Sequence, residues 1–136
     1  MDLGTVISIV SEYWPEVEAI YLFGSHAAGE AWPSSDLDLA LLLPPAVARR
    51  ERLIALHDAR FELERASGGE VDLVNLREVP TVVQNEIIHH GRRIHEPDRY
   101  AAESFEMQVL SAYQKLNQER AGILEDGLRG GRFYNV

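Results

Sequence analysis

Two aspartates, Asp36 and Asp38, stand at the head of an apolar run that continues to Leu43, and this pairing of charge with apolar strand constrains the fold more than any other feature. Side chains on a strand alternate faces with a period of two, so Asp36 and Asp38 are expected on one face while Leu37 and Leu39 point into a core. Two carboxylates on one face repel each other unless a cation lies between them. A hard divalent ion such as Mg²⁺ prefers carboxylate, water and phosphate oxygens. Two such ions about 3.5–4 Å apart can activate an attacking oxygen and stabilise a leaving one in a single displacement.

The segment just upstream supplies the other half of such a site. The apolar run Glu18–Phe23 enters a turn of small residues, Gly24-Ser25-His26-Ala27-Ala28-Gly29. Glycine lets backbone approach a ligand closely and take a positive φ. Backbone N–H groups at a strand-to-helix turn form an anion site, and the Ser25 hydroxyl adds a donor. Gly24 and Ser25 are therefore the candidate phosphate-binding pair.

The remaining pattern is alternating helix and strand. Thr5–Trp14 reads as a helix ended by Pro15, and His26–Ala31 as a short helix behind the phosphate turn. Trp32 falls in a loop near the site and is read as a packing residue rather than a base-stacking platform, and Pro44-Pro45 close the second strand. Ala46–Ala66 reads as one long amphipathic helix with Leu53, Leu56, Leu63 and Ala66 inward, ended at Ser67-Gly68-Gly69. A third strand covers Glu70–Leu76, a helix Thr81–His90 opens after Pro80, Arg92–His95 is an edge strand, and Arg99–Leu128 is a final helix behind Pro97-Asp98. The expected architecture is α/β (α+β): a small mixed β-sheet with helices on one side and a long C-terminal helix, forming one domain over 1–128. Residues 129–136 form a Gly-rich, mobile tail.

Gly-Ser followed by Asp-x-Asp, both on apolar strands, resembles the nucleotidyltransferases of the DNA polymerase β superfamily. The brevity of the chain resembles in particular the minimal nucleotidyltransferase (MNT) antitoxins that accompany HEPN-domain toxins. The likeness runs from about Tyr21 to Leu76. It implies a third carboxylate on a later strand, and Asp72 is the one ionisable residue inside the run Val71–Leu76. Read by itself, Asp72 is a polar position on an edge strand. Read through the resemblance, it shares a metal with Asp36 and Asp38 and takes the proton from the attacking hydroxyl. His26 and Ala28 stand where family members often carry basic residues, which removes permanent positive charge from the phosphate side. Arg49, Arg50 or Arg52 would be substitutes.

Size and charge narrow the acceptor. The 136 residues carry a net charge of −9 and no cysteine, which excludes disulfides, thiolate zinc sites and cysteine nucleophiles and fits a reducing cytoplasm. An acidic surface repels a phosphate backbone, which argues against a nucleic-acid acceptor. No apolar run approaches the ~20 residues needed to span a bilayer, and Met1-Asp2-Leu3-Gly4 lacks the basic start of a signal peptide.

The final helix carries Phe105, Val109, Ala112, Leu116 and Ile123 at three- and four-residue spacings, with Leu110, Tyr113 and Leu124 alongside. This surface either packs on its own domain or receives a helical partner. Arg52 and His57 match the Arg-x4-His pattern of HEPN ribonucleases by chance, in a helix read as amphipathic. His89 and His90 are adjacent, so they diverge on a helix and mark a solvated end rather than a metal pair.

The resemblance implies transfer of AMP from ATP, with two Mg²⁺ ions, to a tyrosine hydroxyl of a cognate HEPN toxin, in a cytoplasmic hetero-oligomer. One alternative is an antitoxin that masks the toxin by binding alone. The other is a small-molecule, aminoglycoside-type nucleotidyltransferase, although such enzymes carry an extra domain for which residues 96–136 leave little room.

Overall fold

The computed structural model describes residues 2–24 and 36–130, with side chains as far as Ile123. The expected Ser25 site, the helix His26–Ala31, the Trp32 loop and most of the C-terminal tail lie outside the described residues. Helix α1 (Leu3–Tyr13) begins where the Asp2 carboxylate accepts from the Gly4 N–H, a side-chain cap on an otherwise orphan donor. Strands β1 (Ala19–Phe23), β2 (Leu37–Leu42), β3 (Val71–Asn75) and β4 (Arg92–His95) follow at the expected places. They form one mixed sheet in the order β3-β2-β1-β4. β2 and β3 run parallel, whereas β1 is antiparallel to both β2 and β4.

Alternation along the strands divides the core between two faces. Ile20, Leu22, Leu37, Leu39, Leu41, Val71 and Leu73 point to one side, where they meet Val6, Val10 and Trp14 of α1 and its flank, together with Ala59 and Leu63. Ala19, Tyr21, Ala40, Leu42 and Leu76 point to the other, where Ile87, Ala102, Phe105 and Val109 cover them. Helices therefore flank both faces of the sheet, not one as the sequence suggested. The strands require this, because each of β1 and β2 is apolar on both sides and both sets of side chains must leave water.

The long helix expected over 46–66 is broken. It consists of α2 (Pro45–Arg50), a 3₁₀ turn at Ile54–Leu56 and α3 (Ala59–Ser67). The cause is a tertiary contact. The buried Asn75 side chain reaches from β3 and donates to the carbonyls of Ala48 (2.8 Å) and Glu51 (3.0 Å), which a continuous helix would use internally. The rotation this imposes turns Leu53 and Leu56 outward, 74% and 70% exposed, while Ile54 and Leu63 are buried. His57 packs against Tyr13 and Trp14, with ring centroids 5.3 and 4.8 Å away, and its Nδ1 accepts from the Ala59 N–H. It is a packing and capping residue.

After β3 come α4 (Thr81–His90), entered through Pro80, and the long α5 (Arg99–Gly130), whose Asp98 carboxylate accepts from Ala101 N–H. The first turns of α5 bury Ala102, Phe105 and Val109, but Leu110 and Ile123 are 44% and 61% exposed. Packing on its own domain thus holds for the proximal part of the apolar seam, while the distal part stands open.

Tyr21 fastens α5 to the sheet. Its hydroxyl donates to Glu106 Oε2 at 2.7 Å, and Arg93 Nε of β4 lies 3.2 Å from the same oxygen. Burial, reinforced by the Glu106 carboxylate, pushes the Tyr21 phenol well above its ordinary range. The folded state therefore keeps the phenol neutral where the unfolded chain would ionise it, near pH 10. This contribution is complete below about pH 10 and is lost as the pH rises above it. Tyr21→Phe is expected to cost about 1 kcal/mol near neutrality. It should also make stability fall less steeply than in the wild type between about pH 9 and about pH 11, read by urea unfolding across that range.

Candidate functional site

Strand register creates the site. Phe23 pairs with Asp38 across the antiparallel β1–β2 ladder, and Asp38 pairs with Asp72 across the parallel β2–β3 ladder. The three residues form one row across the sheet, on neighbouring strands about 4.7–4.9 Å apart. Paired positions share a face, and theirs is the one covered further along by α4 and α5. Asp38 is half-buried and Asp72 exposed. Asp36 immediately precedes β2 and is exposed, and the segment is tied to the edge strand by Leu37 N–H donating to Glu70 O at 2.8 Å.

Asp72 does lie on an edge strand, as its bland reading required. What separates it from an ordinary edge position is its register with Asp38 on the same face.

Gly24 closes the row. Its φ is +71°, a conformation that L side chains rarely adopt. A Cβ added there would collide with Asp38 Oδ2 and stand 3.0 Å from its Cγ. The Asp38 carboxylate therefore lies against a bare stretch of backbone, and only glycine leaves it that room. Gly24→Ala is expected to displace this carboxylate and to add roughly 1 kcal/mol of backbone strain. A misplacement of that kind in a reacting site costs on the order of 10²-fold in turnover. Steady-state assay of the transfer reaction set out below, with thermal melting as the control for folding, measures both effects.

The donors gathered here are all hard oxygens, the set that suits Mg²⁺ rather than zinc or copper. Among the described residues, no group of three or more His, Asp or Glu side chains is assembled to hold an ion. Asp38 and Asp72 are in register on one face, and Asp36 precedes Asp38 by two residues.

Beside the carboxylate row is a cleft of ≈ 430 Å³ between α4 and the sheet, lined by Phe23, Gly24, Asp72, Val74, Val83, Glu86, Ile87 and His90. Sequence reasoning missed the α4 contribution. The signal was present as spacing: positions 83, 86, 87 and 90 fall on one helical stripe. His89 and His90 diverge as expected, for His89 Nδ1 lies 3.0 Å from Asn85 O while His90 Nε2 lies 3.5 Å from Glu86 Oε2. Of the arginines considered as phosphate ligands, Arg49 and Arg50 lie on α2. α2 leaves the C-terminal end of β2, opposite Asp38, and Arg49 lines a separate cleft with Arg77 and Phe105.

Residues 5–100, a span that contains Gly24, Asp36, Asp38 and Asp72, match the family model described as polymerase beta, nucleotidyltransferase. The chain is 31% identical over 126 residues to the protein adenylyltransferase MntA of Shewanella oneidensis, covering 93% of this chain and 87% of that one. It also superposes on a chain of the crystal structure of a toxin–antitoxin with AMP-PNP, with a TM-score of 0.72, 29% identity, and 94% and 99% of the two chains covered. A chain of the complex between the tri-AMPylated HEPN toxin of Shewanella oneidensis and its MNT antitoxin matches with a TM-score of 0.64 and 28% identity, over 92% and 94% of the chains.

Proposed function

The chain belongs to the polymerase β nucleotidyltransferase family, and from that premise we propose that it is an antitoxin that transfers AMP from ATP to a tyrosine hydroxyl of a partner HEPN-domain toxin. The observation that carries this reading is the row Phe23–Asp38–Asp72 with the bare Gly24 backbone against Asp38. Its likeness to a named protein adenylyltransferase, and to antitoxin chains solved with a nucleotide analogue and with an AMPylated toxin, supports the nucleotide and the class of acceptor.

In this reading Asp36, Asp38 and Asp72 would hold Mg²⁺, which when bound neutralises phosphate charge and polarises the phosphoryl group. Gly24 and Ser25 receive the terminal phosphates through backbone N–H groups and a hydroxyl. Asp72 accepts the proton of the attacking phenol. The new bond joins the tyrosine oxygen to the α-phosphorus, the bond from that phosphorus to the β-phosphate oxygen breaks, and pyrophosphate leaves. The molecule works as one domain over 1–128, in a hetero-oligomer with the toxin in the cytoplasm. No helix among the described residues is long and apolar enough to cross a membrane.

Labelled ATP tests the reading directly. With Mg²⁺ and the protein encoded by the neighbouring gene, label at the α-phosphate is expected on a partner tyrosine and label at the γ-phosphate in free pyrophosphate. Tight binding of the partner with no label transferred would replace this reading with masking. Label appearing on aminoglycosides and not on the partner would make the chain a small-molecule enzyme.

A further inference from the structure

We propose that the cleft between α4 and the sheet is the seat of the acceptor's aromatic ring, so that α4 selects a phenolic side chain over an aliphatic hydroxyl. The proposal rests on the adenylyl-transfer reading and specifies where its acceptor binds.

The walls of the cleft are mostly carbon, with Asp72, Glu86 and His90 as the polar members. Phe23 and Val74 rise from the sheet, Val83 and Ile87 descend from α4, and Asp72 stands at one end. Its volume of ≈ 430 Å³ falls within the usual range for small-ligand sites, and one aromatic side chain fits it. Val83 is 41% exposed, an apolar wall left open to solvent until something covers it.

Position decides which group enters. The atom that must meet Asp72 is the acceptor oxygen, and in tyrosine that oxygen is bonded directly to the ring. A phenol presented to Asp72 therefore has its ring within the cleft. A nucleobase is separated from the α-phosphorus by the whole ribose and has no reason to touch the base. Charge argues the same way. Glu86, 3.5 Å from His90, adds a carboxylate outside the proposed metal set, which disfavours a triphosphate arriving from that side but leaves a neutral phenol unaffected. A sugar or serine hydroxyl would gain nothing from carbon walls, whereas an aromatic ring buries its faces there.

Two measurements test this. The first titrates N-acetyl-L-tyrosinamide, and separately N-acetyl-L-serinamide, into the full-length protein with Mg²⁺ and AMP-PNP while following the methyl resonances of Val83 and Ile87. The tyrosine probe is expected to shift both and the serine probe neither. The second uses Val83→Trp, which fills the cleft from an exposed helical position, with Val83→Ser as a smaller companion change. Val83→Trp is expected to raise the KM for the toxin acceptor about tenfold or more while the affinity for a fluorescent ATP analogue stays within about twofold. Weakened nucleotide binding with an unchanged acceptor KM would assign the cleft to the base and overturn the proposal. Equal responses to the two probes would overturn it too. If the wild-type protein transfers no AMP to any protein, the adenylyl-transfer reading fails by itself, and the methyl titration still decides the cleft.

Discussion

Replacing Asp38 by Asn is expected to reduce AMP transfer at least about 10³-fold in kcat/KM while leaving the protein folded. Asn keeps the shape of the side chain that lies against Gly24 and removes its charge. Asp38 is the middle member of the carboxylate row, paired in register with Asp72 on one side and with Phe23 on the other. With Asp36 two residues before it and Asp72 across the ladder, it is the one carboxylate placed to share an ion with either of the other two. Metal-assisted stabilisation of phosphoryl charge is worth several kcal/mol, and each 1.36 kcal/mol is a factor of ten in rate, so the loss of about 4 kcal/mol gives the stated figure. The variant should also need far more Mg²⁺ to reach half of its residual rate. Label transfer measured across a Mg²⁺ titration, alongside thermal melting, checks both. Turnover within tenfold of wild type, at the wild-type Mg²⁺ requirement, would remove Asp38 from the metal site.

The sequence revealed this row better than it revealed its surroundings, for a physical reason. The period of two places Asp36 and Asp38 on one face without reference to anything distant, and the turn after Phe23 requires glycine for local steric reasons, whereas Asp72 enters through the family resemblance and meets Asp38 only when β3 pairs with β2. α4 and β4 came out at their expected bounds because Pro80 and Gly91 punctuate them. The errors all involve contacts made at long range. Nothing between Ala46 and Ala66 announces a break, since the group that ends α2 is Asn75, brought alongside only when β3 joins the sheet. Alternation followed for its carboxylates alone suggests one covered face; the second apolar set, Ala19, Tyr21, Ala40 and Leu42, requires helices on the other as well. The wall that α4 lends to the cleft was invisible in the same way: a helical stripe can be read from spacing, but what it faces is set by the chain's path after β3. Of the proposed phosphate pair, Gly24 is placed by the fold, while Ser25 lies outside the described residues.

Asp72→Asn should separate proton transfer from metal holding. If Asp72 takes the phenol proton, its loss lowers kcat by about 10²–10⁴-fold, the usual contribution of a general base. Nucleotide affinity should change much less than in Asp38→Asn, because Asp72 sits on the edge strand at the end of the row while Asp38 remains at its centre. The acceptor's own acidity supplies the sharper test. A toxin carrying fluorinated tyrosine at the modified position ionises more readily and depends less on a base. The ratio of wild-type to variant rate should therefore shrink as the phenol becomes more acidic. A ratio that stays constant across the acceptor series, together with a fall in nucleotide affinity equal to that of Asp38→Asn, would make Asp72 a metal ligand alone and leave proton removal to solvent.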